Sequence, residues 1–261
     1  MSKEIFIKNS VFILSHQDDE IGIFEPLRLA LKNKENVIVF YMTSGSIIKK
    51  ISKNRLFHRD QESLSVLKKF GVKNKNIIFF GRINNIPTCR LYRKMDIAYI
   101  QLLKYLKKCN GKIKLYTHAW EGGNEDHDAC NILIKKILHK LKNVDKAYQF
   151  SLYNADAKFF YYQVQKIFRK NGKVYKIKTA FINRLKYITY LFYYTSQIKV
   201  WIGLYPFIIT NLLFNRFYVV QELNNNLKFQ RPHPGKLLYE KFKRCEYPEF
   251  KKTITRFLKK N

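Results

Sequence analysis

Two clusters in the chain carry residue types that do chemistry: Ser15–Glu20 reads SHQDDE, and Trp120–Asp128 reads WEGGNEDHD. His16 and Asp19 lie three residues apart, so on an extended or tightly turned backbone an imidazole and a carboxylate can converge on one cation. The intervening Asp18 then points to a separate position beside them. Zinc takes nitrogen and hard oxygen donors, and a catalytic zinc needs three protein ligands with a fourth position left for water. The first cluster lacks a third ligand, which His127 of the second can supply. Read singly, paired aspartates at a strand end serve equally well as helix caps or solvated loop residues. The two clusters together favour metal-assisted hydrolysis.

The flanking elements position both clusters. Val11–Ser15 (VFILS) is a short apolar run suited to a strand buried on both faces. Similar runs occur in Asn36–Ser44, Asn76–Gly81 and Ile113–Ala119. Between them, Leu56–Phe70, Ala98–Lys108 and Asp128–Leu141 place apolar residues at helical intervals. Alternation of this kind predicts parallel βαβ units, hence an α/β fold with a Rossmann-like parallel sheet flanked by helices. Ligands of such sheets bind beyond the carboxyl ends of the strands, where both polar clusters fall.

After Asn154 the character changes. From Ala157 through Gln221 there is no Asp or Glu, while Lys, Arg and aromatics recur, as in FFYY at 159–162, YLFYY at 190–194 and Trp201. The expected organisation is a catalytic core over 1–155, a basic, aromatic, mostly helical insertion over 156–221, and a segment 222–261 returning to the core. A final strand is expected at Phe217–Leu223, across that boundary, and helix from Lys236 onward. The uncharged run Val200–Asn215 includes Pro206 and two asparagines. It is short of the roughly 20 apolar residues a spanning helix needs, so a membrane-interface position suits it better.

The formal net charge of +31 and the 46% hydrophobic content describe a basic globular chain. Lysine is spread throughout with Asn and Ile, so coding bias in an AT-rich genome and an anionic partner are both open explanations. Cys89, Cys109, Cys130 and Cys245 show no CxxC spacing and read as reduced thiols of a cytoplasmic protein. The N-terminus lacks the apolar core of a secretory signal.

The two clusters resemble the PIG-L/LmbE-like N-deacetylases, whose signature is a strand followed by (A/S)HPDDE and later a GHxDH-like segment. Thr43-Ser44-Gly45, Arg59-Asp60-Gln61-Glu62 and the closing Arg231–Glu240 (RPHPGKLLYE) add to the resemblance, which spans roughly residues 9–155 and 222–240. It implies that His16, Asp19 and His127 bind Zn2+, with Fe2+ or another divalent ion an alternative. Asp18 is then the general base, with Glu20 and Asp126 behind the ligands. Gln17 stands where the family has Pro. Asn124 stands where many members have a His that stabilises the oxyanion, and it can donate a hydrogen bond there but carries no charge. His118 and His233 are candidates to substitute for it, His233 being expected at the metal site. Arg55, Arg59, His118 and Arg231 are candidate substrate contacts, since guanidinium forks suit hydroxyls and phosphates. His58 and His139 read as surface residues.

The implied reaction removes acetyl from an N-acetylglucosamine unit on a larger carrier. The basic aromatic stretch points to an anionic or lipid-linked carrier and to peripheral contact with an anionic membrane. A nucleic-acid-binding protein is the competing class, because Tyr and Phe amid basic charge suit single strands. No such motif appears, and the acidic clusters would repel phosphate, so nucleic acid is not the expected partner. A noncatalytic family member is the third reading, raised by Asn124.

Overall fold

The structure is a computed structural model that describes residues 8–46, 53–156, 163–197, 202–227 and 229–260. The aromatic run at 159–162 and Trp201 therefore lie outside the described residues. A seven-stranded sheet runs through the centre. Its strands are β1 (Lys8–Leu14), β2 (Asn36–Tyr41), β3 (Ile77–Ile78), β4 (Lys112–His118), β5 (Val144–Phe150), β8 (Val174–Lys178) and β9 (Phe217–Glu222). They stand in the order β3-β2-β1-β4-β5-β9-β8. The first five pair in parallel; β9 and β8 close the far edge antiparallel. A small antiparallel pair, β6 (Tyr153–Asn154) with β7 (Gln163–Val164), stands apart.

Continuous apolar runs become the central strands because helices cover both faces. Beyond Lys8, every residue of β1 is buried. On one face Val11, Ile13 and Leu115 pack with the single turn α3 (Phe80–Ile83), α4 (Met95–Lys107), α5 (Glu125–Leu138) and the C-terminal helix Tyr247–Lys259. On the other, Phe12, Leu14 and Val39 pack with α1 (Phe24–Lys32) and α2 (Lys53–Phe70). A third cluster joins Ile21 and Phe24 to tyrosines of α6 (Phe181–Leu191) and the helix Tyr205–Phe214.

Four apolar runs became β1 to β4, as expected. β5 (VDKAYQF) has no apolar run, because its first residues are half or fully exposed and only its end is buried. Among the described residues, the 156–221 stretch contributes the helices α6 and Tyr205–Phe214, but also β8, which extends the main sheet through β9. Helix α5 begins three residues before the expected Asp128, with Asn124 as its cap. The tail from Lys236 folds as the short helix Leu238–Lys241 followed by Tyr247–Lys259.

β1 lies between β2 and β4, where the winding of the sheet reverses, and Ile13 pairs with Thr117. The loops that leave β1 and β4 therefore emerge side by side, the position at which such sheets bind ligands. These loops are the two polar clusters of the sequence.

Candidate metal centre

The loop after β1 turns back at once: the His16 amide donates to Asp19 Oδ2 at 2.6 Å. Asp18 takes a positive φ of 118°, unusual for a residue other than glycine. Glu20 holds that conformation by accepting the Asp18 amide at 2.9 Å and the Tyr41 hydroxyl at 2.8 Å. The loop after β4 is fixed by Asp128, whose Oδ1 accepts the amides of Glu121 and Gly122. Gly123 has no alternative here, because a Cβ would sit 1.8 Å from the Tyr153 carbonyl oxygen. Asn124 then caps α5, its Oδ1 accepting the Asp126 amide at 2.8 Å. In the first turn of α5, His127 points back at the β1 loop.

The two loops bring His16, Asp19 and His127 together with one ligand atom from each within 4.8 Å of the others, all buried. His16 Nδ1 is 3.4 Å from Asp19 Oδ2, and His127 Nε2 is 3.3 Å from Asp19 Oδ1. Both ring nitrogens of the fully buried His127 face carboxylates, Asp19 Oδ1 at 3.3 Å and Glu121 Oε1 at 4.0 Å, but neither contact has hydrogen-bond geometry. A buried imidazole left unsatisfied is costly, and a cation among these three donors removes that cost. The donor set of two imidazoles and a carboxylate suits zinc or iron(II).

Each of the two histidines has a carboxylate behind it. His16 Nε2 meets Asp126 Oδ2 at 3.0 Å. Asp126 is itself pinned by the amides of Cys89 (2.5 Å) and Leu91 (3.0 Å). His127 Nδ1 faces Glu121 Oε1 at 4.0 Å, and Glu121 accepts from Ser151 and from the amides of Leu152 and Tyr153. Carboxylates in such positions orient metal-binding histidines.

The electrostatics are strongly coupled. Burial opposes ionisation of Asp19, but His127, His118 and His16 outweigh it and hold the carboxyl well below its ordinary range. Burial likewise opposes charge on the histidines. Asp19 and Asp126 nevertheless raise His16 to about 9, and Asp19 and Glu121 raise His127 to about 10. Burial pushes Asp18 up to about 7 against the pull of Arg59. Asp18 stands outside the ligand cluster, its side chain 15% exposed and 3.7 Å from Arg59.

The remaining sequence candidates fall in varied places. His118 lies wholly buried beneath the cluster, stacked on His127 at 3.8 Å and 3.1 Å from Asp19. There it has no surface to offer a substrate, and burial with the neighbouring His127 lowers it to about 4. Arg59 donates to the carbonyls of Gly45 and Gln17, so its guanidinium braces the motif loop. Arg231 is tied within its own segment, to Gly235 O and Glu240, over the Tyr247 ring. Arg55 lies on α2 with its side chain outside the described set. His233 packs on the Gly122 turn; its Nδ1 bonds Pro234 O at 2.8 Å, while Nε2 is buried without a partner. No contact joins His233 to His16, Asp19 or His127 among the described residues.

Sequence reasoning passed over Tyr153 and Glu121. The Tyr153 ring is 5.4 Å from His127 and its hydroxyl hydrogen-bonds Asn124. Tyr153 stands on a two-residue strand too short to carry a period, and Glu121 on a loop, although inside the WEGGNEDHD cluster.

Comparison with known proteins bears on the family and the fold. Residues 11–138 match the model of the PIG-L family, GlcNAc-PI de-N-acetylase. Among solved structures, the N,N'-diacetylchitobiose deacetylase of Pyrococcus horikoshii superposes with TM-score 0.61 at 15% identity, covering 87% of each chain. The zinc-inhibited form of teicoplanin deacetylase gives 0.61 at 13% identity, over 82% of this chain and 97% of that one. A conserved protein of Thermus thermophilus gives 0.57 at 15%, over 87% and 98%. At these identities the likeness is one of fold. No curated protein sequence matches the chain.

Proposed function

The chain carries a PIG-L family domain over residues 11–138, and from that premise we propose that it is a metal-dependent N-deacetylase. It hydrolyses the acetamide of an N-acetylglucosamine-type sugar borne on an anionic or lipid-linked carrier. The observation that carries this reading is the buried His16–Asp19–His127 cluster at the switch point of the sheet, with both ring nitrogens of His127 unsatisfied. The named substrates of two structural neighbours, diacetylchitobiose and teicoplanin, support a sugar-bearing substrate. Free cysteines without a disulfide among the described residues support a reducing, cytoplasmic compartment.

His16, Asp19 and His127 hold the ion. Bound there, zinc, or iron(II) in its place, polarises the acetamide carbonyl and acidifies water. Asp18 is the carboxylate left over from the motif: beside the cluster, partly exposed, and aimed by Glu20 and Arg59. It takes a proton as water oxygen bonds to the acetyl carbon, and returns it to nitrogen as the C–N bond breaks, giving acetate and a free amine. Asn124 uses Oδ1 to cap α5, which leaves its amide end, shared with Tyr153, as a hydrogen-bond donor for the developing oxyanion. His233 has an open Nε2 beside the Gly122 turn, and Arg55 stands on α2 as a substrate contact.

The test is metal analysis together with acetate release from a panel of N-acetylated sugars. The expected result is near-stoichiometric metal and turnover. Asp18→Asn should lower turnover by about 10²–10⁴-fold with metal retained. A metal-free protein that releases no acetate after loading with zinc or iron(II), or an Asp18→Asn variant as active as the parent, overturns the reading.

A further inference from the structure

The helices α6 and Tyr205–Phe214 are apolar on both sides. Their inner side is explained: Tyr187, Tyr190, Tyr194, Tyr205 and Ile208 form a buried cluster with Ile21 and Phe24, directly behind the motif loop. Tyr187 donates to Glu25 and Tyr218 to the carbonyl of Ile21. The outer side is not explained by folding. Phe181 is 55% exposed, Ile182 71%, Ile202 77% and Phe214 83%. Eight of the fourteen large apolar side chains exposed among the described residues fall between 181 and 214. Arg184 joins the hairpin by donating to Leu212 O and Leu213 O, which sets Phe181 and Ile182 beside Leu213 and Phe214. Exposed large apolar side chains gathered on one pair of helices mark an interaction surface.

The charge around it selects the partner. No Asp or Glu occurs from 157 to 221, and Lys178, Lys186 and Arg216 are exposed beside the patch. Two copies of so basic a face repel one another, whereas an anionic surface attracts it. Helices of 11 and 10 residues are too short to span a bilayer, and no described helix is long and apolar enough to cross one. Lying in the interface, with aromatic and aliphatic side chains among the headgroups and lysines against anionic lipid, fits both length and composition.

We propose that the outer face of this helical hairpin docks the protein on an anionic lipid bilayer. On the inner side, Tyr194 between the two helices reaches Glu20 of the SHQDDE loop. Binding stands whatever reaction the site runs.

The experiment uses the full chain and sedimentation with vesicles, either phosphatidylcholine alone or with about one-third phosphatidylglycerol. A chain of charge +31 adheres to anionic vesicles in some degree by charge alone, so the apolar side chains must be tested. The triple variant Ile182→Ser, Ile202→Ser, Phe214→Ser changes only highly exposed positions. It should partition to anionic vesicles about tenfold or more weakly than the parent, with melting, metal content and acetate release from a soluble sugar unchanged. Ile83→Ser with Ile100→Ser, exposed positions outside the hairpin, should bind as the parent does. A triple variant that partitions like the parent, or a parent that fails to bind anionic vesicles at low salt, overturns the proposal. So does a parent that ignores vesicles but dimerises through this face, with the dimer lost in the triple variant.

Discussion

At the residue scale, the site depends on carboxylates of different duty standing within a few bonds of each other. Asp19 faces three imidazoles, Asp18 is excluded from them by a left-handed backbone, and Asp126 stands behind His16. Asp126 is the group whose role is cleanest to isolate. Its Oδ2 fixes the far nitrogen of His16, and two backbone amides of the 89–91 segment fix it in turn. Such outer carboxylates typically contribute 10–100-fold to metal affinity. Asp126→Asn should therefore weaken metal binding by about 10–100-fold while turnover of the fully loaded enzyme changes less. His127→Ala, by contrast, should abolish stoichiometric loading. Competition with a chromophoric chelator measures both; an Asp126→Asn variant with parental affinity would show that His16 needs no orienting partner.

At the scale of elements, the C-terminal segment is pinned to the core through Glu240. Its carboxylate accepts the amides of Leu237 and Tyr247 and pairs with Arg231. Burial works against the charge, but these donors prevail and lower the pKa of Glu240. A carboxylate with a lowered folded-state pKa stabilises the fold above the unfolded value, and that contribution is lost as pH falls through the folded one. The parent should lose stability on acidification through the carboxylate range. Glu240→Gln should melt lower at neutral pH, by about 1–3 kcal/mol, and lose less on acidification; parallel melting curves for the two proteins across that range would refute the assignment. The same scale explains what the sequence disclosed. Strands β1 and β4 were legible because burial on both faces demands unbroken apolar runs, and the meeting of His16, Asp19 and His127 was legible because the segments that carry them leave the ends of those two strands. β5 was not, since only its end is buried. Tyr153 and Glu121 were not, since a two-residue strand and a loop carry no period. His118, expected as a substrate contact, is wholly buried against His127, and a strand-end histidine reads the same in sequence whether it is exposed or buried.

At the scale of the whole molecule, one cluster of donors ties distant parts of the chain together. His16 and Asp19 leave β1, His127 opens α5, and Glu121 behind it holds Ser151, Leu152 and Tyr153 after β5. A cation at their meeting point binds the native arrangement and not the unfolded chain, so it stabilises the fold by mass action. At free metal about a hundredfold above the dissociation constant the gain is about 2.7 kcal/mol. For a chain of this size, each kcal/mol moves the melting temperature by about 2–4 °C. Chelation should then lower the Tm by roughly 5–10 °C, and added zinc or iron(II) should restore it. The apo protein should still melt cooperatively, because Asp19 retains charged partners in His16 and His127, both raised in pKa when no cation is present. Scanning calorimetry with and without chelator measures this, with His127→Ala as the control that should not respond. A parent whose Tm ignores both chelator and metal would mean that the three donors do not close on a cation, and the hydrolytic reading would fall with them.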